Sequence, residues 1–133
     1  MTKRRFSLRI EHPTQSADKI VASFGVRPKV VQSVGMPRVT PKGHRLTGQY
    51  LSTYLLFDLG TAETIAEGLS MALIFASEHR AALGTIAETG GASEVLVRQD
   101  FSEVNGVSLD PEEISALAEL SLGFGFDLLG SAP

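Results

Sequence analysis

The stretch DPEEISALAELSLGFGFDL, residues 110–128, carries the clearest local signals for the fold. Asp110 is a favoured helix N-cap, Pro111 suits the first helical position, and Glu113 stands at the capping-box position. The buried stripe of this helix consists of Ile114, Leu117 and Leu120. Gly123 then leads into alternating apolar residues, which are Phe124, Phe126 and Leu128. The stretch therefore predicts a short helix followed directly by the last strand.

Strand patterns recur in the sequence before this stretch. Alternating apolar residues near the start of the chain are Phe6, Leu8 and Ile10. Residues 29–34 are rich in β-branched side chains, and residues 49–59 show the clearest alternation of all. Turn signals at Gly35-Met36-Pro37 and Pro41-Lys42-Gly43 divide the segment between them. Residues Val95, Val97 and Phe101 indicate a further strand, which is followed by a turn at Asn105-Gly106.

Two more helices are predicted. Ser16 is a suitable N-cap for the first, and Gly25 stands where a left-handed C-cap belongs. A longer helix starts near Thr61 and ends at Gly90-Gly91, because apolar residues recur between them at helical spacing. Ser77 offers an alternative, in which it caps a second helix and splits the long one in two.

The resulting order is strand, helix, three strands, long helix, strand, helix and strand. Helices alternate with strands too seldom for a doubly wound parallel sheet. We therefore predict an α+β fold in which a largely antiparallel sheet packs against about three helices. With 133 residues and 43% hydrophobic content, residues 1–133 suit a single domain with a real core.

The charges are divided unequally along the chain. Residues 1–45 contain ten of the twelve Lys and Arg residues and only two carboxylates, Glu11 and Asp18. Residues 46–133 contain thirteen carboxylates but only Arg80 and Arg98. The basic part predicts an anionic partner, unless the two parts neutralise each other inside one fold.

Composition excludes several classes of protein. The chain has no cysteine, so disulfides, thiolate nucleophiles and thiolate-ligated metals are excluded. The longest apolar run, Met71–Ala76, is far shorter than the roughly 20 residues of a membrane span. The basic N-terminus leads into an alternating pattern instead of the apolar run of a signal peptide. We expect a cytoplasmic protein with no membrane partner.

The sequence offers no motif for catalysis or metal binding. The three histidines, His12, His44 and His79, lie far apart and lack partners at the spacing of metal ligands. His79 falls on the apolar stripe of the long helix, where a structural role is expected. Glu112 and Glu113 are explained by helix capping, and no nucleophile elbow or phosphate loop is present. We therefore predict no catalytic residue, no metal and no cofactor.

The segment Met36–Gln49 is the best candidate for a binding surface. Its cationic and histidine side chains are Arg38, Lys42, His44 and Arg45. The segment leads directly into Tyr50 and Tyr54, which the strand pattern places on one strand face. Arg and Tyr are enriched at protein-binding hot spots, and cations beside aromatic rings also suit single-stranded nucleic acid. A third interpretation is that a helix covers the tyrosines and the basic loop is merely solvated.

The order of landmarks resembles an uncharacterised bacterial family, domain of unknown function 4279. The features that carry the resemblance are the strand Phe6–Ile10, the segment Phe24-Gly25-Val26-Arg27-Pro28, the strand Gly48–Leu59, and the run from Asp110-Pro111-Glu112-Glu113-Ile114 through Leu122-Gly123 to Phe126-Asp127-Leu128. The resemblance spans nearly the whole chain, and its members often have Trp where Tyr50 stands here. It implies a fold but no established activity, cofactor or catalytic residue.

These observations lead to one hypothesis and two alternatives. We predict a non-enzymatic bacterial interaction domain that binds a protein partner through Arg38, Lys42, His44, Arg45, Tyr50 and Tyr54. Self-association as a homodimer through an exposed sheet edge is one form of this hypothesis. The first alternative is binding of single-stranded nucleic acid by the same surface. The second is a small-molecule site or an enzyme whose site the sequence does not reveal.

Overall fold

The computed structural model describes residues 3–100 and 107–129. Within these residues the chain forms seven strands and four helices. The strands are β1 (Arg4–His12), β2 (Val30–Gln32), β3 (Pro37–Val39), β4 (Arg45–Gln49), β5 (Thr53–Ala62), β6 (Ala92–Asp100) and β7 (Leu122–Leu129). The helices are α1 (Ala17–Phe24), α2 (Ile65–Glu78), α3 (Arg80–Glu88) and α4 (Pro111–Glu119). The predicted Phe101 and the predicted turn at Asn105-Gly106 lie outside the described residues.

Five strands form one sheet in the order β2-β5-β1-β6-β7. Every pairing is antiparallel except that of β6 with β7, which is parallel. The parallel pair is connected through α4, since parallel neighbours need a crossover. The strands β3 and β4 form a separate two-stranded hairpin. The architecture is therefore α+β with a largely antiparallel sheet, as the sequence predicted.

The predicted long helix is two helices, so there are four helices in place of about three. The chain breaks at His79, which ends α2 and precedes α3 with φ of −118°. Ser77, the alternative cap, lies inside α2. The start near Thr61 was also wrong, because β5 pairs with β1 as far as Ala62 and Thr64 is the N-cap.

The predicted strand over residues 49–59 is interrupted. The strand β4 ends at Gln49, and β5 begins only at Thr53. Between them Leu51 is 93% exposed, so the alternation does not continue as one buried face. Tyr50 consequently belongs to the base of the hairpin and not to β5.

All four helices pack on one face of the sheet. The buried residues on that face of the central strands are Phe6, Leu8, Ile10, Leu55, Phe57, Val95 and Val97. Those supplied by the helices include Ile20, Phe24, Leu69, Ala72, Ala76, Leu83, Ile86 and Leu117. Full burial of a large apolar side chain contributes about 1.5–3 kcal/mol. This shared face is therefore the main source of stability.

The opposite face of the sheet carries a row of ion pairs. Arg5 lies 2.7 Å from Asp58, and Arg9 pairs with Glu94. Partial burial raises the pKa of the Asp58 carboxyl, but a hydrogen bond from the Gly60 N–H and the Arg5 guanidinium outweigh that effect and lower this pKa. Both pairs join the basic part of the chain to the acidic part. The charge asymmetry of the sequence is thus partly neutralised inside the fold.

Candidate functional site

The cationic segment forms a well-defined β-hairpin. Residues 40–44 connect its strands β3 and β4, and within them Thr40 and His44 enclose the three-residue loop Pro41-Lys42-Gly43, with Gly43 in the left-handed region at φ +86°. The Thr40 N–H donates to the His44 carbonyl at 2.8 Å, and the Gly43 N–H donates to the Thr40 carbonyl at 2.8 Å. A three-residue loop with a left-handed third residue is a common hairpin connection. The predicted turn at residues 41–43 is therefore the tip of this hairpin.

Tyr50 braces the hairpin at its base. Its backbone N–H donates to the Met36 carbonyl at 3.0 Å, and its carbonyl accepts from the Gly35 N–H at 3.0 Å. Its phenol accepts from the Val39 N–H at 3.2 Å and donates to the Val39 carbonyl at 3.3 Å. The side chain therefore reaches across β3 and holds the hairpin in one arrangement.

Four of the predicted binding residues project from this hairpin into solvent. Arg38, Lys42, His44 and Arg45 are all exposed. Arg38 donates to the Thr47 carbonyl at 3.2 Å, so its guanidinium is held close to β4. The ion pairs found within residues 3–100 and 107–129 involve none of the four. We call residues 37–50 with these side chains the cationic hairpin.

The sequence around the cationic hairpin contains no acid to cancel its charge locally. No Asp or Glu occurs in the 39 residues from Lys19 to Phe57. Charges separated by more than about 8–10 Å are largely screened at physiological salt, so the nearest charges dominate the local field. Among the described residues the hairpin cations are in no ion pair, whereas the charges of Arg5 and Arg9 are balanced by Asp58 and Glu94.

Tyr54 does not belong to this surface. It lies on β5, opposite Glu11 of β1 and Gln32 of β2, on the sheet face away from the helices. The prediction that Tyr50 and Tyr54 share one strand face is therefore wrong. The alternative in which a helix covers this face is also wrong for the described helices, which pack against the other side. The structure places Arg38, Lys42, His44, Arg45 and Tyr50 on the hairpin and Tyr54 on the strand β5.

The histidines outside the hairpin have structural roles. His12 is fully buried, and its Nδ1 accepts from the Thr14 N–H at 3.1 Å and the Gln15 N–H at 2.9 Å. Its Nε2 then carries the proton and donates to the Thr89 hydroxyl at 2.9 Å. Burial lowers the pKa of His12, so the neutral ring is favoured. The aromatic cluster around His79 consists of Phe24, Phe57 and Phe75, with the His79 ring 4.5 Å from Phe75 between centroids.

The acidic residues that sequence analysis singled out are also structural. Asp110 and Glu113 form a reciprocal capping box, with the Glu113 N–H donating to Asp110 Oδ1 at 2.8 Å. Across residues 3–100 and 107–129, no group of three or more His, Cys, Asp or Glu side chains is placed to hold a metal ion. Gly123 and Gly125 leave room for the Glu94 side chain on the neighbouring strand. They therefore do not form a nucleotide-binding loop.

Two clefts along the edge strand β2 were not predicted from the sequence. A cleft of about 680 Å³ lies between this strand and α1, lined on one side by Val21 and Ala22 and on the other by Val31. A second cleft of about 380 Å³ lies between β2 and the hairpin residues Val39–Pro41 and Tyr50, and it is also lined by Val31. The β-branched run at 29–34 indicated the strand but not its edge position, which depends on tertiary pairing with β5.

Comparisons with known proteins assign this chain neither a family nor a function. No protein-family model, curated protein or solved structure matches this chain. The resemblance to domain of unknown function 4279 stays a prediction. In the part of the chain that the structure describes, no helix is long and apolar enough to cross a membrane.

Proposed function

We propose that this protein is a non-enzymatic interaction domain that binds an acidic protein surface through the cationic hairpin. The observation that carries the proposal is the placement of Arg38, Lys42 and Arg45, which are exposed and outside any described ion pair on a braced hairpin. Exposed cations of this kind steer an acidic partner toward the surface and favour a defined orientation.

The braced hairpin also reduces the entropic cost of binding. The hydrogen bonds from Tyr50 to Val39 and the bond from Arg38 to Thr47 fix the backbone that carries the cations. Ordering a mobile side chain at an interface costs about 0.5–1.5 kcal/mol. A hairpin that is already ordered avoids the additional cost of ordering its backbone when the partner binds.

Single-stranded nucleic acid is the alternative that the acid-free segment also favours. Sequence-independent binding of single strands relies on successive bases stacking on aromatic side chains beside a positive groove. Tyr50 lies on the hairpin, whereas Tyr54 lies on β5, so the two rings do not form such a pair. Because the two tyrosines do not share one strand face, a protein partner is favoured over nucleic acid.

An enzyme is less well supported by the arrangement of titratable groups. Catalytic sites bring an acid, a base or a nucleophile together in a cleft and perturb their pKa values. Among the described residues, His12 has its ring nitrogens bonded to Thr14, Gln15 and Thr89, and Asp58 is held by Arg5. The two side chains with shifted pKa values, His12 and Asp58, are therefore both engaged in hydrogen bonds that stabilise the fold.

The proposal is tested by removing the cations from the hairpin. We would substitute serine for Arg38, Lys42 and Arg45 in one triple variant. Partners would then be captured from the source cells with the original protein and with this variant. The matched control replaces Lys3, Lys19 and Arg80, which are also exposed cations, and so changes the net charge equally. We expect the hairpin variant to bind an acidic protein at least tenfold more weakly and the control to retain it.

The same variants separate the two kinds of partner. Fluorescence anisotropy with a labelled thirty-nucleotide oligo(dT) would be recorded at about 50 and 200 mM salt, where phosphate-dependent affinity falls steeply. Binding of oligo(dT) that disappears in the hairpin variant would replace the protein-binding proposal with the nucleic-acid alternative. Equal capture of every partner by the hairpin variant and the original protein would refute both.

A further inference from the structure

The strand β2 is an edge strand with an open side. Its three residues pair with β5, so that Val30 lies opposite Leu56, Val31 opposite Leu55 and Gln32 opposite Tyr54. Among the described strands β5 is its only partner, and β2 ends the sheet. An open edge presents unpaired backbone N–H and C=O groups that can accept another strand.

Two walls enclose this edge and turn it into a channel. The first wall is α1 and the segment that follows it, and it borders the cleft of about 680 Å³. The second wall is the end of β3 and the start of the loop, Val39–Pro41, together with Tyr50, and it borders the cleft of about 380 Å³. Val31 lines both clefts, so they meet at β2. We call this feature the β2 channel.

The first wall is fixed to the strand by a tertiary hydrogen bond. The Ala17 N–H, at the start of α1, donates to the Ser33 hydroxyl at 2.9 Å. Ser33 directly follows β2, and the N-cap residue Ser16 makes no side-chain capping bond of its own. This bond therefore ties the start of α1 to the residue that follows β2.

We propose that an extended segment of an acidic partner protein binds in the β2 channel as an added strand. This inference rests on the proposed function, since it names the part of the acidic partner that the domain recognises. In this binding mode backbone hydrogen bonds supply affinity, while clefts that receive alternate side chains supply specificity. The channel has both parts, because the open edge of β2 lies between two clefts.

The two clefts select different side chains. Val31 lies opposite Leu55, whose side chain is in the core, so the cleft beside α1 lies on the helix face of the sheet. That cleft is lined largely by apolar groups, among them Val21, Ala22 and Val26. Because strand side chains alternate between faces, every second residue of the segment enters this apolar cleft. These residues are expected to be aliphatic.

The remaining residues of the segment are expected to be acidic. They face the hairpin side of the channel, where Lys29 lines the cleft and Pro41 precedes the exposed Lys42. Arg27 lines the cleft beside α1. Asp18 of that same cleft is the one carboxylate among the residues that line the two clefts. A second copy of the chain fits less well, because its own β2 edge would bring the same cations into the channel.

The probe for this test is a fluorescein-labelled peptide of eight residues that alternates valine and glutamate. Two control peptides carry lysine in place of glutamate, or N-methyl groups on alternate backbone amides. Anisotropy measures affinity for the full chain, and amide chemical shifts map the site. We expect binding of the acidic peptide, shifts confined to residues 21–32 and 39–41, and at least tenfold weaker binding of both controls.

Two matched variants locate the site independently of the peptides. Val31→Asn removes the shared apolar contact, and Val31 is 51% exposed, so the fold should tolerate the change. Ile74→Asn makes the same change on α2 at a side chain that is 60% exposed and lines neither cleft. We expect Val31→Asn to weaken binding at least fivefold and Ile74→Asn to leave it unchanged.

Several results would overturn the proposal. One is no binding of the acidic peptide at 1 mM, and another is equal binding of the N-methylated or lysine peptide. Sedimentation that shows a dimer lost in Val31→Asn, with no peptide binding, would assign the channel to a second copy. If hairpin-dependent capture of an acidic protein persists in any of these cases, the channel inference fails while the proposed function stands.

Discussion

Replacing Gly68 with Ala tests how closely α2 packs on the central strand β1. A Cβ atom at Gly68 would lie 1.9 Å from both Cε1 and Cζ of Phe6, whose side chain is fully buried. Carbon atoms in contact prefer a separation of about 3.5–4.0 Å, so the ring or the helix must move by about 1.6 Å or more. Phe6 cannot turn toward solvent, because its side chain is fully buried between the central strand β1 and the helices.

The expected destabilisation follows from two opposing contributions. Overpacking of a core typically costs about 1–3 kcal/mol, and this overlap belongs at the upper end or beyond. Ala has a higher helix propensity than Gly, which stabilises the folded protein by about 1 kcal/mol. The net loss in the free energy of unfolding is therefore about 2 kcal/mol. For a chain of this size that corresponds to a fall in Tm of about 6–10 °C.

Gly84 in α3 provides a matched control. It is also a helical glycine, but a Cβ atom there would meet no other atom within 4 Å. Gly84→Ala should therefore raise the free energy of unfolding by about 0.5–1 kcal/mol and Tm by about 2–4 °C. The same chemical change in two neighbouring helices is expected to act in opposite directions.

The assay is thermal and urea unfolding of both variants followed by circular dichroism. A third protein combines Gly68→Ala with Phe6→Leu. The second substitution removes the ring atoms that the new methyl group would meet. In the double variant the two changes should be non-additive by at least about 1 kcal/mol, because they share one contact. A Gly68→Ala protein as stable as Gly84→Ala would refute the close approach of α2 to β1.

Two further predictions concern stability. His12 has a lowered pKa in the folded protein, so the unfolded chain binds more protons between the two pKa values and stability falls with decreasing pH. Urea unfolding between pH 8 and 5 should show full stability above about pH 6.5, then a loss of up to about 1.4 kcal/mol per pH unit, which His12→Asn should abolish. Asp110→Ala breaks the capping box of α4 and should lower the free energy of unfolding by about 1 kcal/mol. Glu112 is an exposed acid of the first turn outside the box, so Glu112→Ala should lower it by only about 0.3–0.5 kcal/mol. Equal effects of the two substitutions in thermal unfolding would contradict the capping assignment.

Local signals predicted the elements whose formation depends mainly on nearby residues. The capping box at Asp110, the alternation of β1 and the left-handed C-cap at Gly25 are all present. Each of these features is set by side chains within a few positions of one another. The α+β class followed from their order along the chain, which the sequence contains directly.

Features that depend on distant residues were not predictable in the same way. The alternation through residues 49–59 gives no indication that the chain leaves one sheet at Gln49 and enters another at Thr53. The separation of Tyr50 from Tyr54 follows from that interruption. Likewise, the Arg9–Glu94 pair joins residues 85 positions apart, so the charge asymmetry alone could not show which cations remain free. The four cationic and histidine residues lie on one hairpin because they are close in sequence, and their role in binding stays a prediction.

The position of β1 has a consequence for synthesis of the protein. Among the described strands it is synthesised before its two neighbours in the sheet, β5 and β6, and β6 is complete only at Asp100. At about 5–20 residues per second, roughly 4–18 s pass between completion of the first strand and of the last neighbour. During that interval Phe6, Leu8 and Ile10 have no complete sheet to join. Slow translation of the second half of the message should therefore lengthen the period in which the nascent chain depends on chaperones.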